Sequence, residues 1–312
     1  MKKITFLIFL LLFAKELLAE DRREIGEGVT ASHEFFLLAS SLPEIKLAFT
    51  ERLIFPFLQG EGFLTRDNNI NLAFGAEISP VSLNGIVNTV WTPVAFFQLM
   101  AGGRIGSGWN IELYDSEFYG IGLNQPDDAG KSSVNGGGFD GLLWEVHTGA
   151  VLQTDLSALY PGDWHHVVFR SYHELNYKGY TRAAKGESWF FENDDGENCN
   201  GFNYYGNMLV GFQMPVFFNL AAILAEADLY LYDTPQRDKW GDNKIRWTFS
   251  GIFGFYAGKM IDLKLIAQCV TQRNYQESNW QDLYYRNRNI DKSNPLRLEF
   301  YRIVAALTYK FN

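Results

Sequence analysis

The sequence predicts an all-β protein: a closed antiparallel transmembrane β-barrel of about twelve strands, with ten to fourteen open, short periplasmic turns and long extracellular loops. Three observations lead there. Apolar and polar residues alternate with period two along most of the chain, the alternating runs are about 10 to 16 residues long, and the links between them alternate between short and long. Period two marks a strand, because successive side chains point to opposite faces of a sheet. Run length separates this pattern from a soluble sandwich, whose strands usually stop near five or six residues. Short turns at one end and long loops at the other are the asymmetry of an outer-membrane barrel.

Composition narrows the function classes. The chain has 312 residues, 47% apolar and 16% aromatic, which is too hydrophobic for disorder. A formal net charge of −9 without a basic domain argues against nucleic acid as a partner. The two cysteines, Cys199 and Cys269, cannot staple a chain of this size, and no CxxC or Cys/His spacing for zinc occurs. No cofactor, catalytic group or metal ligand set is expected from these counts.

The first residues read as an address. Met1-Lys2-Lys3 is basic, Ile4 to Ala14 is apolar, and Leu17-Leu18-Ala19 precedes a cleavage point before Glu20. That is the layout of a secretory signal peptide at 1–19, with Leu17 standing where a small residue is usual. The apolar run is about half of the roughly 20 residues a spanning helix needs. Residues 20–43 are expected to be a periplasmic lead-in, and 44–312 the barrel.

The expected strands are 44–58, 69–79, 81–92, 93–104, 109–120, 140–156, 164–181, 203–214, 216–232, 244–256, 259–275 and 296–311. In the first, Ile45, Leu47, Phe49, Leu53 and Phe55 share one face, interrupted by Glu51. In the sixth, Leu142, Trp144, Val146, Ala150 and Leu152 oppose Glu145, His147 and Gln153. The last places Tyr301, Ile303, Ala305, Leu307, Tyr309 and Phe311 opposite Arg302, Thr308 and Lys310. Long links follow the first, fifth, seventh, ninth and eleventh strands. Pro93 marks either a tight turn between two strands or a kink within one, and a further strand over His33 to Leu42 would raise the count.

Backbone satisfaction explains why such a chain would close. In hydrocarbon every N–H and C=O must be paired, and a closed sheet leaves no edge. A Lys or Arg on the lipid-facing side near mid-bilayer costs about 2 to 4 kcal/mol, and the apolar rows avoid both; Glu51 is the acidic exception. Eight Trp and 16 Tyr are available for aromatic girdles at the two interfaces.

With Trp144, Val146, Val167 and Phe169 outward, the opposite face becomes a lumen. The expected pore-lining residues are Glu145, His147, Arg170, Glu174, Lys178, Glu226, Asp228, Arg246 and Lys264. Both signs are present, so the charges either line a selective aqueous pore or pair across it and plug it. Ser171 and His173, two apart on one strand face, form a conceivable nucleophile and base. His165 and His166 fall on alternate faces beside a turn and suit solvent better than a shared metal. Asp127-Asp128 and Asn193 to Asn198 are acidic loops that could hold a divalent cation, although the second lacks the full ligand spacing of a calcium loop and solvated loops are commonly acidic. Gly136 to Gly138 precedes no helix, so it gives little support for phosphate binding.

Two segments resemble known families. The closing Leu307-Thr308-Tyr309-Lys310-Phe311-Asn312 resembles the C-terminal strand that bacterial outer-membrane barrel proteins present to their assembly machinery, with Ala306 where Gly is common and Asn312 after the terminal aromatic. The resemblance implies the barrel assembly complex as a partner. Tyr172-His173-Glu174-Leu175-Asn176 is faintly similar to the His-x-Ser-Asn motif of outer-membrane phospholipase A, but Leu175 stands in the serine position, so the similarity implies shared barrel architecture without its nucleophile.

The expectation is therefore a barrel in the cell outer membrane of a Gram-negative-type envelope, surrounded by outer-membrane lipid. It would act as a porin-like channel for small polar solutes or as a structural, surface-exposed barrel, more in keeping with a non-enzyme. The alternatives are a phospholipase-like barrel and a surface adhesion protein using loops 121–139, 182–202 and 276–295.

Overall fold

The computed structural model describes residues 28–311 apart from 43, 114, 115, 193, 233–235 and 259. The expected leader, 1–19, lies outside the described residues.

The chain forms one closed antiparallel barrel of twelve strands. These are β1 (Thr30–Ser40), β2 (Ile45–Pro56), β3 (Asn69–Ile78), β4 (Ser82–Val94) and β5 (Phe97–Gly108), followed after a long loop by β10 (Leu143–Asp155) and β11 (His166–Tyr180). After a second long loop come β14 (Gly201–Gln213), β15 (Phe218–Tyr230), β16 (Arg246–Tyr256), β17 (Ile261–Arg273) and β18 (Leu296–Phe311). The first loop carries short strands β6 (Ile111–Leu113), β7 (Ser116–Phe118), β8 (Ile121–Pro126) and β9 (Ser132–Asn135); the second carries β12 (Ser188–Phe191) and β13 (Asn198–Cys199). Each barrel strand pairs with its chain neighbour, and β1 closes the ring against β18 from His33 opposite Phe311 to Ser40 opposite Val304.

The count of twelve arises differently from the expected one. Thr30–Ser40, expected to belong to the lead-in, is the closing strand. Its alternation is hidden because Phe36 and Leu38, on the inward side opposite Ala48 and Lys46, are as apolar as outward Phe35 and Leu37. Conversely, 109–120 is not a barrel strand: Ile111–Leu113 and Ser116–Phe118 pair only with each other, and Ile121–Pro126 joins a separate loop sheet. At the branch point Gly108 and Gly120 lie so close that a Cβ on Gly120 would sit 2.7 Å from the Gly108 carbonyl carbon. Pro93 belongs to the end of β4, where the ladder with β5 shifts between Trp91 and Val94, so its missing N–H falls at an irregularity beside the turn.

Both described ends of the barrel, Thr30 and Phe311, lie at the same rim, here the turn end. The links 95–96, 156–165, 214–217 and 257–260 also lie there, together with the longer 57–68, which packs on its neighbour through Ala95 N–H to Leu64 O at 2.9 Å. The long links 109–142, 181–200, 231–245 and 274–295 gather at the opposite, loop end. The expected asymmetry is present from 109 onward; before that, β1 reverses the expected direction of β2 to β5, which puts 57–68 at the turn end and the short link 79–81 at the loop end, and the loss of 109–120 as a barrel strand restores the expected directions from β10.

The outward rows are apolar and bare. Ile223 is 69% exposed, Phe300 64%, and Met208, Val146, Ile303 and Ile105 are more than half exposed. On a soluble protein a contiguous belt of this kind would be an aggregation surface. Aromatic rings gather towards both rims: Trp144 stacks on Tyr177 at 5.0 Å near the loop end, and Trp164 approaches Phe212 at 6.5 Å near the turn end. Glu51 keeps its place in the outward row of β2, opposite His33, whose ring stacks between Phe49 and Phe311. The C-terminal row continues to Phe311, with a bulge between Gln268 and Cys269 of β17 that skips Tyr301.

Candidate functional site

Two places collect chemistry: the interior under its loop cap, and a polar spot on the outward wall. The interior is built by parity. Glu145 and His147 lie between outward Trp144, Val146 and Thr148, and Arg170, Glu174 and Lys178 lie between outward Phe169, Leu175 and Tyr177. The remaining expected residues, Glu226, Asp228, Arg246 and Lys264, also occupy inward positions, and β15 sets Asp228 directly opposite Arg246.

Few of these charges stand alone. Arg170 Nη1 donates to Asn207 Oδ1 at 3.3 Å, and its guanidinium covers the Tyr172 ring at 5.3 Å. Glu174 accepts from the Tyr172 hydroxyl and from Asn176 Nδ2 at 2.8 Å. Glu226 accepts from Tyr205 at 2.6 Å, and Lys264 pairs with Asp262 at 3.0 Å. Near the loop end Glu77 lies between Lys46 at 3.8 Å and Arg104 at 3.4 Å. A cavity of about 180 Å³, lined by Thr50, Arg52, Glu77 and Asn88 among others, opens in the interior beside β2 and β3.

The loop end is covered by a small folded layer. Strands β13, β12, β8 and β9 form a four-stranded sheet, and Ile121, Leu123, Leu143, Tyr180 and Trp189 make a buried core beneath it. Fully burying a large apolar side chain stabilises by about 1.5 to 3 kcal/mol, so Trp189, with 1% of its surface exposed, is a principal anchor. Asn200 ties this core to the barrel rim by accepting from Tyr180 N–H at 2.8 Å and Trp189 Nε1 at 3.1 Å.

From this layer one residue reaches the far wall. Glu192, just past β12, receives Lys46 Nζ of β2 at 3.0 Å, and Ser82 Oγ and Asn84 Nδ2 of β4 at 2.5 and 3.2 Å. Its φ is +51°, a left-handed conformation that costs a non-glycine residue about 1 kcal/mol. Burial acts to raise the Glu192 carboxyl, but the Lys46 ammonium and the Ser82 hydroxyl outweigh it and hold the group below the ordinary carboxylate range.

A second set of charges binds the loops together. Glu197 joins Arg273 Nη1 at 2.9 Å and Arg288 Nη1 at 3.0 Å, and Tyr275 donates to it at 3.2 Å. Arg273 also meets Asp242 at 3.2 Å, and the Tyr285 hydroxyl bonds to Asp242. All five of the charged and tyrosyl groups Glu197, Arg273, Arg288, Asp242 and Tyr285 are buried. The acidic loops behave as turns: Asp194 Oδ1 accepts from Phe191 and Gly196 N–H, and Asp127 Oδ1 from Ala129 and Lys131 N–H.

Ser171 and His173 lie on the outward face. Ser171 Oγ and His173 Nε2 are 3.0 Å apart, and His173 Nδ1 is 2.7 Å from the Tyr204 hydroxyl of β14. Gly206, opposite His173, leaves room for the Tyr204 hydroxyl, which a Cβ there would meet at 2.5 Å. His165 and His166 are occupied separately, by Tyr160 O at 3.0 Å and Asp155 Oδ2 at 2.7 Å.

No family model matches the chain, and comparison with curated proteins finds no match. The fold and these side chains carry the functional reading. Sequence reasoning missed Glu192 and its partners and read Glu197 only as a member of an acidic loop, not as the centre of a buried ion cluster; the available signal was Trp189-Phe190-Phe191, an apolar triplet inside an otherwise polar loop, which requires a buried surface.

Proposed function

We propose that this protein is an outer-membrane barrel that passes small polar solutes through a charged interior, with the folded loops as its closure. In this reading 1–19 directs export, the strand ending at Phe311 engages the barrel assembly machinery, the turn end faces the periplasm, and membrane lipid surrounds the apolar belt. The observation that carries the reading is the pairing of an inward wall bearing both charge signs with a loop layer held across the mouth by Glu192.

Membrane fractionation with heat-modifiable gel migration tests the class. Planar-bilayer recording then tests the passage: the folded wild type should give rare ion steps, and a chain shortened between Ala183 and Asn200 frequent ones. A folded, shortened chain that never conducts would end this reading.

The Ser171, His173 and Tyr204 chain supports a second reading, acyl-ester hydrolysis at the lipid-facing wall. With His173 Nδ1–H donated to Tyr204, Nε2 is left to accept the Ser171 proton. Ser171 lies six residues along β11 from Tyr177, roughly 14 Å below that aromatic row for a strand tilted by about 45°. An ester must reach that depth, which ranks this reading second. Phospholipid hydrolysis that disappears in Ser171→Ala would favour it; absence of hydrolysis would remove it.

A further inference from the structure

We propose that Glu145, His147 and Glu174 form a binding site for one divalent transition cation of the zinc type on the inward wall of the barrel. The site does not depend on whether the interior conducts. Glu145 and His147 are two apart on the inward row of β10, and Glu174 lies on β11, which pairs with it two positions further along, opposite Gly149. One imidazole nitrogen and two carboxylate oxygens from these residues lie within 4.8 Å of one another. Ligand atoms around a tetrahedral zinc are about 3.4 Å apart, given metal–ligand bonds near 2.0 to 2.2 Å, so side-chain adjustments of about an ångström close the set.

Three features distinguish this group from an incidental ion pair. First, His147 Nδ1 is buried without a hydrogen-bond partner, and its distance to Glu145 Oε1, 3.7 Å, is too long for one. Second, Glu174 is already oriented by the Tyr172 hydroxyl and Asn176 Nδ2, the kind of outer support that fixes a ligating carboxylate. Third, Gly102 on β5 leaves the space that the imidazole occupies, since a Cβ there would meet His147 Nε2 at 2.7 Å.

The neighbouring cations do not exclude a dication. Arg104 is 3.4 Å from Glu77, and Lys178, opposite Glu145, also interacts with Asp228. Glu145 and Glu174 flank the imidazole from two adjacent strands, so two carboxylates and one ring nitrogen are offered together. Mixed nitrogen and oxygen donors suit zinc and its neighbours, whereas magnesium and calcium prefer oxygen alone. Three protein ligands leave a position open to water from the interior.

Calorimetric titration of ZnCl2 into the folded full-length barrel in detergent tests the site. The wild type should take up one saturable equivalent. His147→Asn and Glu174→Gln should each weaken that uptake at least tenfold, and Tyr172→Phe, which removes only outer support, by about 10-fold to 100-fold. His166→Asn at the turn end should leave it unchanged. Heat-modifiable migration confirms that each variant is folded, and Co2+ absorption supplies a second readout, with a ligand-field band that His147→Asn abolishes. Absence of a saturable equivalent in the wild type overturns the proposal, as does uptake that survives His147→Asn and Glu174→Gln together or that depends on His166. If the ligand variants do not fold, unchanged zinc affinity in folded Tyr172→Phe overturns it.

Discussion

Glu192 and Lys46 meet at 3.0 Å although 146 residues separate them, joining the loop after β11 to the inward face of β2 about halfway round the ring. Lys46 also approaches Glu77, so one ammonium serves both the loop and the wall. Hydrogen bonds to charged groups contribute about 1.5 to 3 kcal/mol each, more than neutral ones. Three of them converge on this carboxylate and fasten the loop layer to β2 and β4.

Glu192→Ala should release the loop without unfolding the barrel. The expected outcome is a loss of about 2 kcal/mol in loop stability, read as faster proteolytic cutting within 181–200 and more frequent ion steps in planar bilayers. Unchanged proteolysis would show that the buried core around Trp189 suffices.

Acid should do the same to the wild type. The Glu192 carboxyl is held below its ordinary value of 4.5, chiefly by Lys46 and Ser82 against the opposing effect of burial. A depressed carboxyl stabilises the folded contact fully above the unfolded value and loses that contribution as pH falls through the folded one. Loop release should therefore be absent at pH 6 and appear below about pH 4.5. Glu192→Gln should flatten this dependence.

Glu197→Gln should damage the cap more than any surface change. Its carboxylate balances Arg273 and Arg288, each less than 5% exposed at the side chain. Removing one member of a buried ion cluster typically costs about 3 to 5 kcal/mol because the remaining charge is left uncompensated. Urea titration monitored by tryptophan fluorescence should show an early transition that the wild type lacks.

A charge on the outward belt should be resisted only in a membrane. Met208 is 54% exposed in the outward row of β14. Met208→Arg should cost about 2 to 4 kcal/mol for folding into lipid vesicles, whereas Met208→Leu should be neutral. Equal folding of the two would contradict a lipid-facing belt.

Cys199 should be chemically silent in the folded protein. Burial, assisted by nearby Asp242, pushes its thiol up to about 12, so almost no thiolate exists at pH 8. Maleimide labelling followed by peptide mass spectrometry should modify Cys199 only after denaturation.

What the sequence by itself determined was the parity of the wall. Whether Val146 points out and Glu145 points in depends on two adjacent positions of one strand, so period two reveals it, and Glu145 and His147 alternate along β10 with the more exposed Trp144 and Val146. The same local rule fails where the pattern is degenerate. Phe35-Phe36-Leu37-Leu38 is apolar on both faces and conceals β1, while Ile111-Glu112-Leu113 alternates but is too short to cross a barrel.

Only the tertiary structure decided which strands close the ring, which end carries link 57–68, and where the loops land. Glu192 meets Lys46, and Glu197 meets Arg273 and Arg288, across separations of 76 to 146 residues, and nothing local encodes those distances. The outward pairing of Ser171 and His173 was visible as spacing, but the Tyr204 hydroxyl comes from another strand. Side-chain direction is a property of neighbouring residues, whereas a closed ring and a loop across its mouth depend on the register of every strand between them.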